Sequence, residues 1–201
     1  MAGCEYNFQK IHDDFRPRML RYLTRIVGEN EAEDLTQEVF AKIDGALKAF
    51  RGESSLSTWI YRIATNAAAD RLRRVSARHG NEKRLPIGDI AETEKDKNLW
   101  TDEQRASTEQ RVIREEMNGC VRETIATLPE SYRSVIVLSE LEVFTDAEIA
   151  DIVGLNLQAA KLRLHRARTK LKEELKKACV FYRDERTELA CDRKTSFIEI
   201  G

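Results

Sequence analysis

Thr145-Asp146-Ala147-Glu148-Ile149-Ala150-Asp151-Ile152-Val153-Gly154-Leu155-Asn156-Leu157-Gln158-Ala159-Ala160-Lys161-Leu162-Arg163-Leu164-His165-Arg166-Ala167-Arg168 reads as two short helices around a tight turn. Thr145 can cap the first helix while Glu148 reaches back to the cap, and Ile149, Ala150, Ile152 and Val153 supply its apolar side. Gly154 ends that helix, and Asn156 fits the cap of the next. Leu157, Ala160, Leu164, Ala167 and Leu171 then form an inward stripe, leaving Lys161, Arg163, His165, Arg166 and Arg168 largely outward. A helix-turn-helix with a basic second helix is shaped for duplex DNA. The same residues also fit an ordinary helical hairpin with a solvated basic face. Against that stands the coincidence of capping box, turn glycine and basic cluster, with Glu173 and Glu174 the two acids in 161–177. Phosphate neutralisation needs such a face.

Working outward, 41% hydrophobic and 34% charged residues over 201 positions suit a soluble helical protein of one domain or two small ones. Three prolines occur, Pro17, Pro86 and Pro129, and no strongly alternating strand pattern is visible, so an all-α architecture is expected. The net charge of −1 hides its distribution. Basic residues gather at 71–78 and 161–177, and acids gather at 29–38 and 82–116. No apolar run has the length of a signal peptide or a membrane span, which predicts a cytoplasmic protein without membrane insertion. Cys4, Cys120, Cys179 and Cys191 are far apart and form no Cys-x-x-Cys pair, so neither a disulfide framework nor a standard zinc module is indicated. His12, His79 and His165 are isolated and no phosphate-cradling glycine motif occurs, so no enzyme activity and no cofactor are expected.

Helical periodicity divides the chain. The first helical domain is expected over 6–78, where Phe15, Met19, Tyr22, Leu23 and Ile26 form one stripe and Leu35, Val39, Ile43 and Leu47 a second. Ser57 suits the cap of a helix reaching residue 78, with Ile60, Ile63, Ala64 and Ala67 inward. Trp59 and Tyr61 open that helix and Arg71, Arg73, Arg74 and Arg78 close it. Aromatic rings beside a basic strip can bind single-stranded nucleic acid. Equally, Trp59 can be a core anchor and the arginines a last turn favoured by the helix dipole. Residues 79–108 lose periodicity and read as a flexible linker. A second domain spans 109–178, and 179–201 is an extension.

The order of these features resembles the small two-domain bacterial sigma factors of the extracytoplasmic-function (ECF) group. The resemblance rests on Asp34-Leu35-Thr36-Gln37-Glu38-Val39-Phe40, on the stretch from Phe50-Arg51-Gly52-Glu53-Ser54-Ser55 through Trp59-Ile60-Tyr61-Arg62, on Leu128-Pro129-Glu130-Ser131-Tyr132-Arg133, and on the helix-turn-helix ending His165-Arg166-Ala167-Arg168. Together these words cover most of residues 10–178.

The resemblance implies a non-enzymatic subunit that binds core RNA polymerase, directs it to promoter DNA, helps melt the duplex and is commonly held inactive by an anti-sigma factor. It implies polymerase docking through Asp34, Leu35, Gln37 and Glu38. It implies capture of the melted minus-10 strand by Phe50, Ser54, Ser55, Trp59 and Asn66, with Arg62, Arg73 and Arg74 on phosphates. In the second domain, Lys161, His165 and Arg166 become candidates for minus-35 base edges, and Arg163 and Arg168 for phosphates. The extension departs from the family. There Cys179 and Cys191 are candidates for a thiol or metal sensor, the alternative being unreactive cysteines on a helical extension. Two other functions fit parts of the chain: a dimeric helix-turn-helix regulator, and a sensor whose tail carries the main activity.

Overall fold

The computed structural model describes residues 6–78, 108–183 and 189–193. Three helices form the first unit: α1 (Phe8–Val27), α2 (Glu29–Leu47) and α3 (Leu56–Arg78). Asn7 Oδ1 caps α1 by accepting the Lys10 amide at 3.2 Å, and Gly28, at φ +89°, lets the chain reverse directly into α2. Met19, Tyr22, Leu23 and Ile26 of α1 pack with Leu35, Val39 and Ile43 of α2 and Ile60, Tyr61, Ala64 and Ala67 of α3. These are apolar residues three or four apart, which share a helix face. Ile63 is only half-buried. The α3 cap is Ser55 rather than Ser57, because Ser55 Oγ accepts the Thr58 amide at 3.0 Å and α3 begins at Leu56.

The second unit comprises α4 (Thr108–Thr127), α5 (Glu130–Ile136), a π-helical segment (Val137–Leu141), α6 (Asp146–Ile152) and α7 (Leu157–Ala178). The expected linker at 79–108 lies, as far as residue 107, outside the described residues. Beyond α7 the all-α fold carries one small addition where a helical extension was the alternative. Cys179–Arg183 (β1) and Leu189–Arg193 (β2) form an antiparallel hairpin in which Cys179 faces Arg193 and Phe181 faces Cys191. Val180, Phe181 and Tyr182 are good strand formers, a signal outweighed in the sequence by the preceding helical pattern. The terminal Phe197-Ile198-Glu199-Ile200-Gly201 and Cys4 lie outside the described residues.

The two helical units meet in one continuous hydrophobic core. Glu142 is the polar centre of the junction, its side chain 6% exposed. The Tyr61 hydroxyl donates to Glu142 Oε2, and Arg18 and Arg25 of α1 approach the same carboxylate at 3.8 and 3.6 Å. Tyr61 is therefore a core residue and not part of an exposed aromatic strip; its ring lies 5.1 Å from Tyr22 and 4.8 Å from Phe144. Burial, reinforced by the Glu142 charge, pushes the Tyr61 phenol well above its ordinary pKa. Arg133 of α5 adds a second tie, donating to the Ile26 carbonyl at 2.6 Å and so satisfying an acceptor at the end of α1.

Candidate nucleic-acid interface

The helix-turn-helix forms as its local chemistry dictates. Thr145 Oγ1 accepts the Glu148 amide at 3.3 Å while Glu148 Oε2 accepts the Thr145 amide at 2.9 Å, a reciprocal capping box. Gly154 takes φ +67°, a left-handed turn conformation open to glycine without strain. Asn156 Oδ1 accepts the Ala159 amide at 2.8 Å and starts α7.

Ala160, Leu164 and Ala167 face the core and Leu171 is half-buried, while Leu157 is exposed and drops out of the expected stripe. Lys161, His165 and Arg166 are exposed and Arg163 is half-buried. Lys161, Arg163 and Arg166 have no carboxylate partner among the described residues, so their charge is available for phosphate or base edges. Arg168 differs: its Nε and Nη2 both donate to Glu140 Oε1, at 2.9 and 2.6 Å. Two further residues near the start of α7, Gln158 and Leu162, are exposed, and being uncharged they carry no charge signal in the sequence. Their signal was position, since the first turns of a recognition helix reach base edges.

In the first unit, Phe50 and Trp59 are half-buried with ring centroids 4.9 Å apart, and the Tyr6 ring lies tilted against Phe50 at 5.5 Å. Ser54, between Phe50 and Trp59 in the chain, is half-buried, and Asn66, beyond Trp59 on α3, is exposed. Ser55 is exposed, but its hydroxyl serves the α3 cap and also contacts Thr58 Oγ1 at 2.8 Å. Arg73 and Arg74 are exposed; Arg73 pairs with Asp70, which lowers the Asp70 pKa. Arg62 is held by Asp151 of α6, across the junction, and its buried Nε has no hydrogen-bond partner.

On α2, Asp34, Gln37 and Glu38 are exposed, whereas Leu35 is 1% exposed and belongs to the core, so it supports this face from beneath. Glu38 and Glu31 bracket Arg71 of α3. The acidic strip is thereby fixed to α3, and the two carboxylates raise the Arg71 pKa. The described residues thus present an acidic face, an aromatic and basic strip, and a capped recognition helix. None of their helices is long and apolar enough to cross a membrane.

Known proteins share this arrangement. The Sigma-70 region 2 family matches residues 11–78, and the Sigma-70, region 4 family matches residues 118–171. The chain is 31% identical over 174 residues to the ECF RNA polymerase sigma-E factor of Haemophilus influenzae, covering 86% of this chain and 89% of that protein. It is 30% identical over 179 residues to the ECF RNA polymerase sigma factor SigW of Bacillus subtilis, covering 87% and 91%. The sigma factor RpoE of Bartonella quintana, solved in complex with the anti-sigma factor NepR, shares the fold with a TM-score of 0.62 at 20% identity, over 84% of this chain and 96% of that one. With both units matched in order, and with relatives aligned along most of their length, this chain belongs to the ECF family of RNA polymerase sigma factors.

Proposed function

We propose that the chain exercises its sigma-factor role through the three surfaces described above, as a removable specificity subunit and not as a catalyst. The exposed acids Asp34 and Glu38, with Gln37, dock on a basic surface of core RNA polymerase, where charge complementarity steers the encounter. The α7 face reads the duplex minus-35 element: Lys161, His165 and Arg166 reach base edges, Arg163 and Arg168 bind phosphates, and Gln158 and Leu162 extend the reading surface. Phe50, Ser54, Trp59 and Asn66 hold the melted minus-10 strand, with Ser55 shaping the loop as the α3 cap and Arg62, Arg73 and Arg74 on its backbone. This work takes place in the cytoplasm, where the polymerase is.

The observation that carries the reading is the capped α7, with Lys161, Arg163 and Arg166 unpaired beside a buried Ala160, Leu164 and Ala167 face. Strand capture has a structural condition. Arg62 reaches a phosphate only after it leaves Asp151, so engaging the minus-10 strand loosens the α3–α6 contact. A protein that clamps the two units together would keep Arg62 occupied, and an anti-sigma factor is the partner that such a device suits.

Run-off transcription with purified core polymerase tests the reading. The intact chain should direct initiation at a specific promoter. Asp34→Lys with Gln37→Lys should abolish polymerase binding while leaving Glu38 on Arg71 and the fold intact. Specific binding to a palindromic duplex without any affinity for polymerase would instead identify a free-standing regulator.

A further inference from the structure

Three sulfurs meet where the C-terminal hairpin rests on α4. Cys120 comes from α4, Cys179 from the first position of β1 and Cys191 from the middle of β2, and all three are buried. Their Sγ atoms lie within 4.8 Å of one another. The β register explains the convergence. Cys191 sits opposite Phe181, two residues from Cys179, so both hairpin cysteines emerge on the same face of the sheet. The cluster consists of cysteines alone and stands apart from the main core.

Cys179 is the one buried residue of β1, while Val180, Phe181 and Tyr182 are 50, 37 and 41% exposed. A two-stranded hairpin is marginal by itself, and in β1 Cys179 alone is buried, so chemistry at the sulfurs is a means of fastening the hairpin to α4. A disulfide joins Cys120 and Cys179, two of the three. Its Cα atoms are 7.5 Å apart, outside the roughly 4.4–6.8 Å that an unstrained bridge spans.

We propose that Cys120, Cys179 and Cys191 form a trithiolate site for one thiophilic d10 cation, of the zinc class, that pins the hairpin to α4. Tetrahedral thiolates at the usual zinc–sulfur length are about 3.8 Å apart, a spacing that three sulfurs already inside one small sphere reach by small side-chain shifts. Soft thiolates select such ions over hard cations, and solvent fills the fourth position. Where Cys120 and Cys179 are bridged, two molecules of a cytoplasmic thiol such as glutathione first supply two electrons and two protons and leave as their own disulfide; each protein thiol then releases its proton to solvent as its sulfur–metal bond forms. Re-forming the bridge would need an oxidant, and the cytoplasmic setting of the proposed sigma function keeps thiols reduced. The proposal rests on that reading in this last respect alone.

The test is metal content of the full chain, purified anaerobically after reconstitution with Zn2+ or with Cu+ and measured by mass spectrometry of the elements. About one ion per chain is expected, falling to background in Cys191→Ser and in Cys120→Ser, and unchanged in Cys4→Ser. Cd2+ bound in place of zinc should give sulfur-to-metal charge-transfer absorption that Cys191→Ser removes. Because β2 lies outside the main core, Cys191→Ser should keep its helical circular dichroism, which separates lost binding from unfolding. No bound ion with either probe, a Cys120–Cys179 disulfide persisting under cytoplasm-like glutathione, or full metal content in Cys191→Ser would each overturn the proposal. Run-off activity of the same preparation judges the sigma reading separately.

Discussion

The two basic helices of this molecule carry similar charges in opposite circumstances. On α7, Lys161, Arg163 and Arg166 have no acidic partner among the described residues, whereas on α3 Arg62 is tied to Asp151, Arg71 to Glu31 and Glu38, and Arg73 to Asp70. Unpaired cations can exchange condensed counterions for themselves as soon as they meet DNA. Paired ones must first give up a carboxylate. On the proposed reading the α7 face, Arg168 on Glu140 excepted, meets duplex as it stands, while Arg62 and Arg73 of the first unit's strip are held by internal contacts. Arg71 shows that being paired need not be a barrier: its partners lie within its own unit and serve to fix α2 on α3. Arg62 is the one whose partner lies across the junction.

The largest expected effect comes from breaking that junction. Glu142→Ala removes the buried carboxylate shared by Tyr61, Arg18 and Arg25. Deleting one member of a buried charge network costs about 3 kcal/mol or more. Urea unfolding followed by circular dichroism should show that loss, and small-angle scattering should show a larger radius of gyration as the units separate. The α7 face should be unaffected, so duplex binding in the same variant should hold.

Alkaline pH reaches the same junction more gently. The Tyr61 phenol is raised by burial first and by the Glu142 charge second, and Tyr22 is raised chiefly by burial. A folded-state pKa raised above the unfolded one stabilises the fold fully below the unfolded value, about 10 for a phenol, and that contribution disappears as pH climbs past it. Stability should therefore decline above about pH 10, and Tyr61→Phe, whose ring cannot ionise, should flatten part of the decline. Denaturant midpoints across pH 8–11 measure this.

What the sequence disclosed and what it concealed follow the same division between local and distant partners. Thr145 with Glu148, Gly154 and Asn156 announce the helix-turn-helix because each bond they make closes within four residues. Periodicity likewise exposed the Leu35, Val39 and Ile43 face. Tyr61 and Glu142 are 81 residues apart and Cys120 and Cys179 are 59 apart, and no local pattern encodes such meetings. Cys120, alone on its helix, carries no local signal of its sulfur partners. Leu35 belongs to the core by its own helical spacing, and the family word that contains it, which implies a docking role, does not separate it from its exposed neighbours Asp34, Gln37 and Glu38. The acids and arginines of the binding surfaces were legible as residues; which of them are already paired was not.

On α7, Arg166→Ala sharpens the contrast. As an exposed arginine with no acidic partner it should contribute about 1–3 kcal/mol of discrimination at one base pair, or about fivefold to 150-fold in affinity. Arg168→Ala should cost less, because Arg168 gives up its two bonds to Glu140 when it turns to phosphate. Holoenzyme binding to promoter duplexes at several salt concentrations separates the roles: loss of a phosphate contact lowers the salt slope by about one, and loss of a base contact relaxes sequence preference.

The smallest effect is the most informative. Asp151→Ala removes the partner of Arg62, and with side chains 41% and 37% exposed this pair contributes under about 1 kcal/mol to stability. The same energy must be given up whenever Arg62 turns to a phosphate, so its removal should raise affinity for a minus-10 single strand by up to about fivefold. The buried Arg62 Nε, which has no hydrogen-bond partner in the packed form, favours the exchange further, since a phosphate oxygen can accept from it. Fluorescence anisotropy with a labelled non-template oligonucleotide measures the gain. In a double-mutant cycle with Arg62→Ala the gain should vanish, because Asp151 acts on the strand only through the arginine it holds. A gain that survives in the double variant would mean that Asp151 repels the strand directly, and that pairing across the junction is not what sets the two basic helices apart.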